Sequence, residues 1–131
     1  MKSDIDIKDD IYEFIKGSSL EYEVTGKLSK TKRPYGSRNE DIVISVLANQ
    51  NGEIQEAFVN VNIYVKDIVR NKQSEEDTIR LRQLCNIAKN LLDVGRGNDY
   101  RFTLDSQRIM EVEGKSEHII NNRLLYRQCN A

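Results

Sequence analysis

Between Asp41 and Val65, apolar residues alternate with polar ones on both sides of an Asn51-Gly52 pair. Alternation with a period of two marks a half-buried strand. Asn-Gly is the pair favoured in a two-residue type I′ turn, whose central residues both take positive φ. Together they predict a long antiparallel hairpin in which Gln50 faces Glu53, Val46 faces Ala57, Ile44 faces Val59 and Ile42 faces Val61. One side of this ribbon is apolar on both strands. The other pairs Val43 with Asn60, Ser45 with Phe58 and Leu47 with Glu56, a mixed surface suited to water or a partner. A slip of one residue would turn every side chain to the wrong face, so register matters here more than anywhere else in the chain.

The flanking segments supply elements to pack against the hairpin. Ile7, Ile11, Phe14 and Ile15 recur at helical spacing, with Ser3 or Asp4 as cap and Gly17 as stop. Leu20, Tyr22 and Val24 alternate as a short strand should, and Gly26 marks a bulge or bend. Ser29–Asn39 has no periodicity and contains the turn-forming Pro34-Tyr35-Gly36, which predicts a long exposed loop. After the hairpin, Lys66–Gln73 leads to a helix expected to begin at Ser74, with Asp77 completing a weak capping box. Its stripe is Leu81, Leu84, Cys85, Ala88, Leu91 and Leu92, ended by Gly95 and Gly97. Tyr100–Leu104 and Ile109–Val112 read as two strands, and Gly114-Lys115 as a turn. In the last strand His118, Ile120, Asn122, Leu124 and Tyr126 share one side. Strands segregated from two helices predict an α+β fold: a mainly antiparallel sheet built around the central hairpin, with both helices on one face.

At 131 residues the chain is expected to form a single domain, 1–131, burying roughly two-thirds of its unfolded surface. Lys and Arg number 20 against 21 Asp and Glu, and the resulting net charge of −1 removes any global attraction to polyanions. Local patches remain. The first 23 residues are acidic, whereas Lys27, Lys30, Lys32, Arg33 and Arg38 face only Glu40 in the segment that follows. The N-terminus lacks the apolar centre of a signal peptide, and no run approaches the roughly 20 residues needed to cross a bilayer, so the chain is expected to stay where it is made. Cys85 and Cys129 are too few and too far apart for a disulfide framework and are expected to be free thiols in a reducing cytoplasm.

Catalytic equipment is sparse. His118 is the only histidine, so any Ser-His-Asp or Cys-His-Asp arrangement would have to be built around it, and its strand neighbours suggest an ordinary strand histidine. One His and two distant Cys lack the close pairs of a zinc site. Gly95-Arg96-Gly97 follows a helix C-terminus, where the dipole repels anions, and so reads as a helix stop rather than a phosphate loop. Acidic pairs such as Asp9-Asp10 and Glu75-Glu76 sit at helix starts, and the strand carboxylates Glu111 and Glu113 show no sign of desolvation. The expectation is a protein that is not an enzyme, with no catalytic residue, no metal and no cofactor. Two regions are candidates for partner contact: Lys32, Arg33, Tyr35 and Arg38 in the basic loop, and Phe58, Asn60, Asn62 and Tyr64 on the mixed hairpin face.

Several runs are familiar. Lys32-Arg33-Pro34-Tyr35-Gly36-Ser37, then Glu40-Asp41-Ile42-Val43-Ile44, the strand Val59-Asn60-Val61-Asn62-Ile63-Tyr64-Val65, and Glu117-His118-Ile119-Ile120-Asn121-Asn122-Arg123 resemble small phage-derived proteins of bacterial genomes. These are similar to the tail-terminator, tail-completion and head-tail joining proteins of long-tailed bacteriophages. The resemblance covers most of the chain. It departs where a proline-led turn would follow the Ile-Tyr-Val strand, since this sequence has Lys66-Asp67 there. It implies an α+β subunit of a ring, commonly a hexamer, that caps the tail tube. Tail-tube and head-connector proteins are then its partners, DNA passes through without sequence-specific binding, and no membrane is involved. The implied location is the host bacterial cytoplasm during assembly and then the virion. A head-to-tail ring needs two matching patches on each subunit, for which the acidic N-terminal helix and the basic loop are the sequence candidates. The alternative from a different class is a small nucleic-acid-binding or regulatory module that uses loop 27–38.

Overall fold

A computed structural model describes residues 1–129. The elements run α1 (Asp4–Ile15), α2 (Ser19–Glu23), β1 (Leu28–Ser29), β2 (Ile42–Gln50), β3 (Glu56–Lys66), β4 (Ile68–Arg70), β5 (Gln73–Glu75), α3 (Thr78–Leu92), β6 (Val94–Arg96), β7 (Tyr100–Val112) and β8 (Glu117–Gln128). Six strands form one sheet in the order β1-β2-β3-β8-β7-β6, antiparallel except for the short β1–β2 pair, while β4 and β5 form a separate hairpin. The fold is α+β, as the patterning predicts.

The central hairpin is present as β2 and β3, but its register differs from the expected one. Ile42 pairs with Ile63, Ile44 with Val61 and Val46 with Val59, each two residues beyond the partner the short turn would impose. On the mixed side Val43 meets Asn62, Ser45 meets Asn60 and Ala48 meets Phe58. The cause lies in the loop. Asn51 and Gly52 do not take positive φ, and residues 51–55 separate the paired Gln50 and Glu56. Gln55 is drawn inward: its amide donates to the Lys2 carbonyl (2.7 Å) and to Asn49 Oδ1 (2.6 Å), and its Oε1 accepts from the Lys2 N–H (2.8 Å). These long-range bonds outweigh the local turn preference. A bulge between Val46 and Ala48 then leaves Leu47 exposed. Because the shift is an even number, Ile42 and Ile44 still face the core. A positive-φ pair occurs instead at Asn71 and Lys72 (51° and 63°), in the two-residue turn joining β4 to β5.

Other boundaries also move. Ser19–Glu23 is helical rather than extended, with Val24 as its C-cap: the Ser18 hydroxyl accepts from the Glu21 N–H, the Val24 N–H bonds the Leu20 carbonyl, and Leu20 and Val24, four apart, are both buried. There are thus three helices among the described residues, not two. Gly26 is a point of close approach, where any Cβ would collide with the Asp41 carboxylate and the Glu40 backbone. The long helix begins at Thr78, capped by Asp77, and Ser74 belongs to β5. Gly95-Arg96-Gly97 is more than a helix stop, since Val94–Arg96 forms the edge strand β6. Tyr100–Val112 is one continuous strand with a bulge between Leu104 and Ser106. By contrast, Ser3 caps α1 in a reciprocal capping box with Asp6, and Gly17 follows the helix with φ of 76°, as expected.

Ile7, Ile11 and Ile15 of α1, Leu20 of α2, and Leu81, Leu84 and Leu92 of α3 join Ile44, Val61, Ile63, Phe102, Ile120, Leu124 and Tyr126 in a single buried cluster. Each sheet member comes from the same side of its strand, so all three helices cover one face. No helix among the described residues is long and apolar enough to cross a membrane.

Candidate interaction face

Pairing register determines which side chains share the face away from the helices. Side by side across β2, β3, β8 and β7 lie Val43, Asn62, Asn121 and Arg108. The next row holds Ser45, Asn60, Arg123 and Ser106, followed by Ala48, Phe58, Leu125 and Thr103. Beyond them come Gln50, Glu56, Arg127 and Arg101, with Arg96 of β6 next to Arg101. The Asn121 amide donates to Asn62 Oδ1 (2.7 Å) and Asn60 Oδ1 (3.2 Å), which makes a polar ladder across β3 and β8. The Arg123 guanidinium stacks over Phe58, 4.0 Å from the ring centroid. Phe58, Asn60, Asn62 and Tyr64 therefore do share one half-exposed surface, as their alternation predicts.

The basic loop divides. Lys32 and Arg38 are exposed and Tyr35 stands fully in solvent, but Arg33 turns inward. Its Nε donates to Asp41 Oδ2 (2.7 Å), its Nη1 and Nη2 donate to the two oxygens of Glu117 (2.9 and 2.6 Å), and Nη2 also reaches the Asn39 carbonyl. The same guanidinium lies 4.1 Å from the Tyr64 ring centroid. Burial alone would raise the Asp41 pKa, but hydrogen bonds from Ser37, Arg33 and the Lys27 N–H outweigh it and hold the carboxyl below its ordinary value. Burial likewise opposes the Arg33 charge, and Glu117 and Asp41 more than restore it. Arg33 thus clamps the loop to the end of the sheet and is not a free contact residue. Lys30 is engaged too, 3.1 Å from Asp9 and 4.9 Å from the Tyr12 ring centroid, so the acidic helix and basic loop meet within one chain.

His118 ends the core-facing row of β8. Its Nδ1 lies 2.6 Å from Asp67 Oδ1, while the Ser74 hydroxyl donates to the other Asp67 oxygen (2.8 Å). Serine and histidine therefore meet the same carboxylate and not each other, unlike a nucleophile and its base. Glu76 stands 3.9 Å from Nε2, and with Glu111 these groups line an open acidic hollow. No set of three or more His, Cys, Asp or Glu among the described residues is placed to hold a metal ion. Cys85 and Cys129 are free, and burial pushes the Cys85 thiol up.

Sequence reasoning missed Asn121, Glu117 and the arginines of the open face. Alternation against Phe102 and Tyr126 marks Arg101 and Arg127 as outward-facing, but only the β6–β7–β8 register places Arg96, Arg101 and Arg127 side by side. Compared with known proteins, the chain matches no family model and no curated relative.

Proposed function

We propose that this chain is a structural subunit of a virion-assembly ring, of the tail-terminator, tail-completion or head-tail joining kind that its sequence resembles. The observation that supports this reading best is a pair of free sheet edges. The outer edge of β2 beyond Val43 and that of β7 beyond Leu104 have no strand partner among the described residues, and they bound the sheet on opposite sides. Strand directions alternate from β2 to β7, so β7 of one copy lies antiparallel to β2 of the next when copies are related by rotation. Such a contact is heterologous, the kind that forms a ring when the rotation between copies closes. Exposed Leu47 on β2 and exposed Ile109 and Met110 on β7 add apolar surface at these edges. The role requires no cofactor and no catalysis.

Imaging the protein with purified tail tubes tests this reading. Rings seated on tube ends, lost when Leu47→Lys and Ile109→Lys are combined, are expected; tubes that keep growing in its presence would count against it. Nucleic-acid binding through loop 27–38 has less support, because Arg33 and Lys30 are committed within the chain.

A further inference from the structure

Half of the chain's arginines, Arg96, Arg101, Arg108, Arg123 and Arg127, lie on the open sheet face, although the chain as a whole is slightly acidic. Glu56 and Asp105 are the nearby countercharges: Glu56 Oε2 bonds Arg127 Nε at 2.6 Å, while Asp105 stays 3.8 Å from Arg123 Nε. Arg96 faces Arg101, and Arg101 faces Arg127, as directly opposed pairs on adjacent strands. Like charges in that relationship are destabilising, so the row is held against electrostatic cost. A second observation is independent of the first. Arg123 Nε is buried and without a hydrogen-bond partner, the one such side-chain nitrogen or oxygen among the described residues. Beside Arg127, Phe58 and Leu125 join Ala48, Gln50 and Glu56 around a cavity of about 270 Å³.

We propose that this face binds single-stranded nucleic acid without sequence preference. The arginines take successive backbone phosphates, and unpaired bases stack on the Arg123–Phe58 pair and enter the adjoining cavity. Guanidinium groups match phosphate in geometry as well as charge, and stacking platforms on positively charged sheets accept any base. The acidic first helix of a second copy fits less well, because its aspartates are engaged within the chain: Asp4 by Asn49, Asp6 by Ser3, Asp9 by Lys30, and Asp10 by Lys2 and Tyr126. A duplex presents paired bases and leaves the stack and the cavity unused. One chain carries the whole face, so the proposal does not depend on ring formation.

Fluorescence anisotropy of the intact protein with an oligothymidylate of about 20 nucleotides, longer than a typical single-domain footprint, tests this. Binding should weaken with salt, and Arg96→Gln/Arg101→Gln should lower affinity about tenfold or more and flatten the log–log salt slope by about 1.4, at roughly 0.7 per phosphate contact. The double variant should melt no lower than the unmodified protein, since repulsion is relieved. Should it melt lower, the exposed single change Arg108→Gln carries the slope test instead, with an expected change of about 0.7. Lys32→Gln/Arg38→Gln in the loop should leave binding unchanged. The proposal is overturned by absence of binding, by an unchanged slope in the face variants, or by loss confined to the loop variant. Equal affinity for a duplex of the same length overturns the single-strand assignment. A fall in oligomer mass without a change in oligonucleotide affinity would make the face a subunit contact instead.

Discussion

Arg33 and Glu117 lie 84 residues apart in sequence and form a two-pronged ion pair, with Nη1 and Nη2 donating to the two carboxylate oxygens at 2.9 and 2.6 Å. Asp41 completes the cluster, and both carboxylates are almost wholly removed from solvent. Removing the arginine leaves two buried anions without a cation. Arg33→Ala is therefore expected to cost about 3–5 kcal/mol of stability, read as a lower urea midpoint. Replacing Arg33, Asp41 and Glu117 together by apolar residues of similar volume should restore much of the loss, since no charge is then stranded.

The same cluster makes stability depend on acid. Asp41 has its folded pKa below the ordinary 3.8, so the unfolded chain takes up the proton more readily. Its contribution is fully present above that ordinary value and is lost as pH falls through and below it. Urea midpoints measured from about pH 7 to about pH 3 should fall at the acid end, and Asp41→Asn should flatten that fall while lowering the midpoint near neutrality.

Two turns give opposite expectations from those of their sequences. Gly52 lacks positive φ, and a Cβ there meets nothing closer than 3.7 Å, so Gly52→Ala should change stability by no more than about 0.5 kcal/mol. Lys72 carries φ of 63°, a conformation that costs a side-chain-bearing residue about 1 kcal/mol, and Lys72→Gly should be stabilising by up to that amount. Thermal melts of the two variants check both, and a large loss in Gly52→Ala would restore the type I′ turn.

Gly26 is different. Its Cβ position is already filled by the Asp41 carboxylate and the Glu40 backbone, so Gly26→Ala should cost about 1–3 kcal/mol by forcing the loop off the sheet. Hydrogen exchange should show faster opening of Ile42, whose N–H bonds the Lys27 carbonyl.

Arg80 ties α3 to α2 and to the loop before β2, donating to Glu40 (2.7 and 2.6 Å) and to both the side chain and the carbonyl of Glu23. Hydrogen bonds donated to Glu40 first, and then to Glu23, raise its pKa, so the charge persists across any accessible pH. Arg80→Met should cost about 2–3 kcal/mol, in line with charge-assisted bonds around a largely buried Glu40. Chemical denaturation would measure it.

What the sequence determined by itself follows from local geometry. A strand turns alternate residues to opposite faces and a helix repeats every three to four, so the α+β class was legible, as were the capped first helix and the parity of Ile42, Ile44, Val59 and Val61. Phe58, Asn60, Asn62 and Tyr64 could be placed on one face for the same reason. Tertiary structure decided whatever depends on partners distant in the chain. Gln55, bonded to Lys2 across 53 residues, set the hairpin register against the preference of Asn51-Gly52. Buried Leu20 and Val24 made a helix of an alternating segment, and Glu117 turned Arg33 from a free loop cation into an internal clamp. The arginine row of the open face exists only because β6, β7 and β8 align Arg96, Arg101 and Arg127. Periodicity determines which way a side chain points, and long-range bonding and packing determine what stands beside it.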